Sequence, residues 1–477
     1  MASGSEDRDR DGEAQQQDKK PVGFWDKELN AVRKEVFVKW ALTTLILSTF
    51  ILSILSLYWG VLFRVEKNLS SLVVWVVDFD GQVAPYTDTR PLVGPQIVKA
   101  AEALVAPSGA LGWGSLPASQ FNYDPLEIRR QIYEFKAWAA IIINANATTL
   151  LQEAVQNGNA TFDPMGIAQV IYVQARDQST YFNYVIPELL QFQSTITSKF
   201  GEQWSSQVLE QAATNTSIMT NIRNSPQVIS PAIGFSTFNL RPFSPPVATP
   251  AVSIGLIYLI IVSFFSFSFY LPVHNKYIIP QGHRPMHFYQ LIIWRWLSTI
   301  VAYLFLSLSY SLISLAFQIP FSTGSRSEIM VESPATAFGK GSFVVYWMLN
   351  WVGMGALGLA CENVSMVVGQ PWTALWLIFW VITNVSTSFY CIDLAPKFYY
   401  WGYAWPLHNI VEASRHILFD VHSRIGLNFG VLFTWVAINT LLFPVCCYFM
   451  RWNSLKEEDK KIDEKGNANE NGEDMKG

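Results

Sequence analysis

The chain of 477 residues is half hydrophobic, carries eighteen tryptophans and has a formal charge of −4. That composition excludes an ordinary soluble domain and offers no basic surface for a nucleic-acid partner, so a membrane protein is expected. Cys361, Cys391, Cys446 and Cys447 all fall in or beside apolar runs, so a domain outside the membrane would fold without disulfides. The adjacent pair Cys446 and Cys447 reads as small apolar filler rather than a palmitoylation site.

Residues 1–22 are charged and poor in aliphatics and are expected to form a disordered cytoplasmic tail. GFWDKELNAVRKEVFVKW comes next, with Phe24, Trp25, Leu29, Val32 and Val36 at helical spacing against lysines and arginines, which predicts an interfacial amphipathic helix over 23–40. Ala41 to Phe63 is the first run long enough to cross a bilayer. No small-residue cleavage site follows it, so it is expected to be a retained anchor.

From 64 to 250 the long apolar runs cease. LVVWVVDFDG, AWAAIIIN and AQVIYVQAR read as three strands separated by helix-like stretches, which predicts an α/β domain. Glycosylation acceptor motifs at Asn68, Asn146, Asn159 and Asn215 place this domain outside the cytoplasm. The same motif at Asn363 and Asn384 falls inside predicted spans, where it arises by chance. Asp78 and Asp80 end the first strand and read as turn residues rather than a cation site.

Five more spans are expected within 251–452, at Ala251–Leu271, Tyr289–Phe317, Phe343–Val368, Trp372–Ile392 and Phe429–Met450. Lys27, Arg33, Lys34 and Lys39 precede the first span, and Arg451, Lys456, Lys460 and Lys461 follow the last, which puts both termini in the cytoplasm. The expected fold is therefore an α-helical integral membrane protein of six transmembrane helices, with an α/β ectodomain between the first two and a disordered tail at 453–477. The uncharged link Val368–Gly369–Gln370–Pro371 leaves a re-entrant fourth and fifth segment as the alternative.

WGYAWPLHNIVEASRHILFD, Trp401 to Asp420, lies between the last two spans. Pro406 suits a first helical turn. Leu407, Ile410, Val411, Ser414, Ile417 and Leu418 then share one face, while His408, Glu412, Arg415 and His416 share the other, with Glu412 in reach of both histidines. Such a helix is too short to cross and is expected to lie in the outer interface near 406–420, behind an aromatic belt at 399–405. The alternative is that its charged face lines a polar path.

WVVDFDG, AWAAIIINANATTLLQEAVQNGNATFDP and YYWGYAWPLHNIVEASRHILFD together resemble a family of fungal membrane proteins named for resistance to nitrosoguanidine. That family in turn resembles the membrane domain of type-2 ABC exporters and the phage-infection-protein type of bacterial membrane protein. The likeness runs from about Phe24 to Trp452. It implies a plasma-membrane location and roles in drug resistance and membrane lipid organisation. An exporter architecture further implies a homodimer and a separate ATPase subunit. No catalytic or transport residues come with the resemblance.

The chain carries no phosphate loop: AFGKGS at Ala337–Ser342 has Pro334 where the first glycine belongs and Gly341 after the lysine. HRPMH, His283 to His287, spaces two histidines as a metal site would, but six histidines are too few for a di-iron desaturase. No G-x-S-x-G is present. No enzyme activity, metal or cofactor is expected. Glu362 sits in the fourth span beside Asn363 and after Gly353, Gly355 and Gly358, which suggests a helix contact or a polar path. Arg295 reads as snorkelling to the membrane edge rather than pairing with Glu362. The candidate substrate path is Glu362, Asn363, Glu412 and Arg415, and the expected activity is movement or gating of an amphipathic lipid or drug. The alternative is a non-transporting regulator or scaffold of lipid asymmetry.

Overall fold

The computed structural model describes residues 22–105, 109–278, 284–369 and 372–473, with the backbone alone from 457. The N-terminal tail up to residue 21, His283 of HRPMH and the Gln370–Pro371 link lie outside the described residues. Residues 1–56 form one unit and 57–477 a second.

The segment predicted as a separate surface helix runs unbroken into the span, as α1, Asn30–Gly60, whose residues from 57 on belong to the second unit. Arg33 folds back over the rings of Phe24 and Trp25, 5.2 Å from each centroid.

The second unit begins with an α/β domain. Its elements are β1 (Val73–Asp78), α2 (Val93–Glu102), β2 (Gly112–Pro117), α3 (Pro125–Tyr133), β3 (Ala139–Ile143), α4 (Ala147–Asn157), β4 (Ala168–Tyr172), α5 (Ile186–Thr214), α6 (Thr216–Asn224) and β5 (Phe235–Asn239). The sheet order is β2-β1-β3-β4-β5. β1 pairs in parallel with β2 and β3, β4 runs antiparallel to β3, and β5 is parallel to β4. Three of the five strands, β1, β3 and β4, are the expected ones, and β2 and β5 are additional. GWGSLP holds two glycines and a proline, and FSTFN is short and half polar, so neither shows a strand's apolar alternation.

Strand alternation gives the sheet two different cores. Val74, Val76, Ala139 and Ile141 face a cluster closed by Ile97 of α2, Leu151 of α4 and Phe192 of α5. Val77, Ala140, Ile142 and Ile171 belong to a cluster that continues into the helices of the membrane half.

Past β1, Asp80 is fully buried and accepts from the Gly94 N–H at 3.1 Å, the Thr148 N–H at 2.9 Å and the Thr148 hydroxyl at 2.5 Å. It thus ties the first turns of α2 and α4 to the strand end. Gly94 is required there, because a β-carbon would overlap the Asp78 carboxylate.

The membrane half contains α7 (Ile257–Asn275), α8 (Phe288–Ala316), α9 (Ser342–Val368), α10 (Thr373–Ser386), α11 (Pro406–Phe419) and α12 (Ile425–Glu473). Among the described residues five helices are long and apolar enough to cross a bilayer: Lys27–Gly60, Pro246–Asn275, Phe288–Ala316, Gly339–Val368 and Ile425–Lys456. The sixth predicted span falls short. α10 has 14 residues, ~21 Å of helix against a hydrocarbon core of ~30 Å.

The sequence TNVSTS explains the break. Thr383, Ser386 and Ser388 turn their hydroxyls back onto the carbonyls of Phe379, Ile382 and Asn384, which competes with the helix ladder. α11 then satisfies the broken end: Asn384 Oδ1 accepts the Leu407 N–H at 3.1 Å, and His408 Nδ1 donates to the Thr387 carbonyl at 2.9 Å. At the other terminus, the tail expected to be disordered continues α12 as far as Glu473.

α9 is the central helix, contacted by α7, α8, α10, α11 and α12 and buried from Gly353 to Asn363. Its glycines set those distances. A β-carbon at Gly353 would lie 2.7 Å from Ile410 Cδ1 of α11, and one at Gly358 would overlap Tyr303 of α8. Since Gly353 stands about 16 Å along α9 from Ser342, α11 enters the bundle instead of resting on its rim.

Burial pushes the Asp78 carboxyl up to about 6 from 3.8; the Asp80 N–H opposes this and the Asp80 charge adds to it. The folded domain therefore keeps a proton that the unfolded chain releases near 3.8. This contribution to stability is complete below that pH and is lost as pH rises through about 6. Asp78→Asn keeps an acceptor for the Asp80 N–H and should flatten the fall in melting temperature between about pH 4 and pH 6; an unchanged slope in a detergent melt would count against this assignment.

Candidate functional site

The structure separates the four predicted path residues into three settings. Glu362 lies within the bundle and pairs with Arg295 of α8, Nη2 to Oε1 at 2.6 Å, with both side chains almost fully buried. The Thr299 hydroxyl is 3.5 Å from the other carboxylate oxygen. The guanidinium also reaches Met366 Sδ at 3.5 Å and Cys447 Sγ at 3.7 Å and lies 5.5 Å from the centre of the Phe443 ring. The expectation that Arg295 snorkels is therefore corrected. α7, α9 and α12 cover it, so a neutralising carboxylate takes the place of water. Cys447 is buried beside the pair, as filler.

Asn363, one residue along α9, points elsewhere. Its amide donates to the Asn439 carbonyl at 2.9 Å and to Asn439 Oδ1 at 3.1 Å, joining α9 to α12. Asn363 Oδ1 is buried without a partner. Both asparagines border a groove of about 380 Å³ whose walls include Trp376, Trp380, Trp405 and Trp435. Trp376 stacks on Trp380 with centroids 5.5 Å apart, and Trp380 lies 5.3 Å from Trp435. The indole N–H groups of Trp380, Trp405 and Trp435 are bonded to Leu357, Thr383 and Ala404, so these rings present their faces as apolar walls.

Glu412 and Arg415 lie on α11, which is not an interfacial helix with one free face. Leu407, Ile410, Ile417 and Leu418 are buried, and so are Asn409, Ser414 and His416. The charged face turns toward the α/β domain: Arg415 Nη1 meets Asp177 Oδ2 at 3.2 Å and donates to the Arg176 carbonyl at 3.0 Å. Glu412 reaches one histidine, not two. Its Oε1 is 3.5 Å from His408 Nε2, whereas His416 Nδ1 donates to the Val421 carbonyl at 2.6 Å. Burial alone would raise the Glu412 carboxyl, but His408, Arg424 and the Asn428 amide outweigh it and hold the group down to about 2.

Glu412 and Arg415 border a cavity of about 230 Å³ between α11, the segment after α10 and the α/β domain. Arg176, Asp177, Asp393 and Arg424 complete its charged wall. Sequence reasoning missed these four. Arg176 and Asp177 are neighbours in an ordinary polar stretch, Asp393 and Arg424 stand singly elsewhere, and only the fold brings them together.

Removing one partner of a buried ion pair leaves the other uncompensated, at a cost of about 3–5 kcal/mol, whereas replacing both with apolar groups is close to neutral. Glu362→Gln should therefore lower the melting temperature of the purified protein sharply, and Arg295→Met combined with Glu362→Met should recover most of the loss. A double variant no better than the single one would show that the pair does more than neutralise itself.

Residues 43–441 match the family described as protein of unknown function DUF3533. The chain is also 28% identical over 461 residues to a Saccharomyces cerevisiae protein described as an uncharacterized endoplasmic reticulum membrane protein, covering 92% of this chain and 86% of that one. No solved structure matches it. With five helices among the described residues able to span, this is a multi-pass membrane protein, and by the extent of the match it belongs to the DUF3533 family.

Proposed function

We propose that this protein moves or gates an amphipathic molecule, a lipid or a hydrophobic drug, and thereby contributes to drug resistance and lipid organisation in its membrane. The observation that carries this reading is the groove beside α9 and α12. Its walls are indole faces, yet the amides of Asn363 and Asn439 border it and one buried acceptor there has no partner. An apolar molecule with a single hydrogen-bond donor would use both features. The resemblance to type-2 ABC exporters supports a homodimer working with a separate ATPase subunit, since the chain has no phosphate loop of its own. In this reading the protein is not an enzyme and needs no cofactor.

Membrane identity and sidedness belong to the same proposal. The fungal resemblance favours the plasma membrane, while the yeast relative is described as an endoplasmic reticulum protein. Both are consistent with an α/β domain on the non-cytoplasmic side, and, because the segment after the short α10 is back against that domain, where the Ser71 hydroxyl donates to the Asp393 carbonyl at 2.8 Å, with both termini in the cytoplasm. Asn159 and Asn215 are exposed, Asn146 is half-buried, and the Asn68 amide donates to the Leu394 carbonyl at 2.9 Å. Glycosidase treatment should therefore shift the mobility of the wild-type protein, and Asn159→Gln with Asn215→Gln should remove most of that shift. A protein with no glycan at these sites after passage through the secretory pathway would reverse the sidedness.

The direct test is reconstitution in liposomes with a fluorescent phospholipid, tracking transfer between leaflets with and without ATP and a cytosolic extract. Transfer by the protein alone supports a self-sufficient transporter, and transfer that needs ATP and extract supports an ATPase partner. Asn363→Leu should slow either by about tenfold, the worth of one buried hydrogen bond, with the melting temperature measured alongside because the same amide joins α9 to α12. Absence of transfer under every condition would sink the transport reading and favour a regulator or scaffold.

A further inference from the structure

The cavity between α11 and the α/β domain has a charge arrangement that the protein does not complete by itself. Three cations, Arg176, Arg415 and Arg424, and three carboxylates, Asp177, Asp393 and Glu412, border its roughly 230 Å³. Arg415 is taken by Asp177 at 3.2 Å. Glu412 is shared by His408 at 3.5 Å and Arg424 at 4.0 Å, and Arg424 remains half exposed.

Arg176 and Asp393 are left over. The Arg176 guanidinium lies 3.8 Å above the Trp138 ring and donates to the Ala137 carbonyl, and no carboxylate among the described residues lies within 4.0 Å of it. The Asp393 carboxylate accepts from the Tyr403 hydroxyl at 3.2 Å and, among the described residues, lies within 4.0 Å of no cationic side chain, while the Ser71 hydroxyl donates to the Asp393 carbonyl at 2.8 Å. Two opposite charges on one wall, neither neutralised by the other, suit a ligand that carries both. A simple anion or cation would engage only one of them.

The chemistry of each end is set by its neighbours. Arg176 and Arg424 can grip a phosphate oxygen through charge-assisted hydrogen bonds. Asp393, with the rings of Tyr390 and Tyr403 on the same wall, suits an ammonium group. The source of such a ligand is indicated by the rim. Tyr403 is 43% exposed although it lines the cavity, Tyr400 lies 6.1 Å from it and is 49% exposed, and Phe398 is 65% exposed. Exposed aromatic side chains of this kind mark the headgroup level of a bilayer. The cavity has room for a headgroup and leaves acyl chains outside.

We propose that this cavity binds the zwitterionic headgroup, phosphate and ammonium together, of a membrane phospholipid. Such a site names a substrate class for the transport reading and rests on that reading only for the movement of the lipid once bound.

The test titrates the full-length protein in detergent with three probes, read by tryptophan fluorescence: short-chain phosphatidylethanolamine, short-chain phosphatidylglycerol and soluble glycerophosphoethanolamine. Phosphatidylethanolamine should bind about tenfold more tightly than phosphatidylglycerol, the difference expected of one charge-assisted contact. Asp393→Asn keeps an acceptor for the Tyr403 hydroxyl and should abolish that preference, while Arg176→Gln should weaken both lipids. Equal binding of the two lipids, or an Asp393→Asn protein that keeps the preference, overturns the proposal. Soluble headgroup binding as tightly as the lipid overturns the lipid source. Parallel transfer assays separate the two readings: selective binding without transfer leaves this site standing and removes transport, and transfer without selective binding does the reverse.

Discussion

One buried guanidinium fixes the relation between the two halves of the second unit. Arg241, just past β5, is 1% exposed. A charge so placed is tolerated only when its donors are satisfied. It meets Asp420 Oδ2 at 2.8 Å, Ser325 Oγ at 2.9 Å and the carbonyls of Ser327, Met330 and Leu240 at 2.7, 3.1 and 2.8 Å. Three stretches of chain therefore converge on it: the exit from the sheet, the loop after α8 and the residue that ends α11. Asp420 adopts a left-handed conformation, φ 48°, to present its carboxylate. With Arg415 clamped to Asp177 as a second tie, α11 is held by the α/β domain at two points. Since α11 also packs on Gly353 of α9, a displacement of the domain has to be felt at the middle of the central helix.

What is legible in the sequence is whatever depends on near neighbours. The apolar runs give the long helices, the alternation in VVWVVD gives β1, and the spacing after Pro406 gives α11. The ion pairs escape such reading because their partners are remote: Arg295 and Glu362 are 67 residues apart, Arg241 and Asp420 179, and Arg415 and Asp177 238. Glu362 stands out because a carboxylate inside an apolar run is costly wherever it points. Arg415 stands out from its helix face, but nothing near it in the chain betrays its partner. Arg176 and Asp393, which shape the same cavity, carry no local mark at all.

The two polar clusters differ in kind. Around Glu362 the charges cancel and the surroundings are sulfur and aromatic carbon, so the pair acts as a joint between α8 and α9. Around Glu412 the groups are spread over a cavity wall, with Arg424 half exposed and Asn428 and His408 supplying single bonds. The first arrangement favours one packing of helices. The second leaves charge that can still be engaged.

The shortness of α10 has a consequence for its neighbours. A helix of 14 residues leaves ~9 Å of a ~30 Å hydrocarbon core unspanned. Thr387 and Ser388 stand where an ordinary span would still be apolar, yet protein buries both, to 1% and 4% exposure. The polar stretch is kept from lipid by its neighbours, and α11 takes the place that water would otherwise fill.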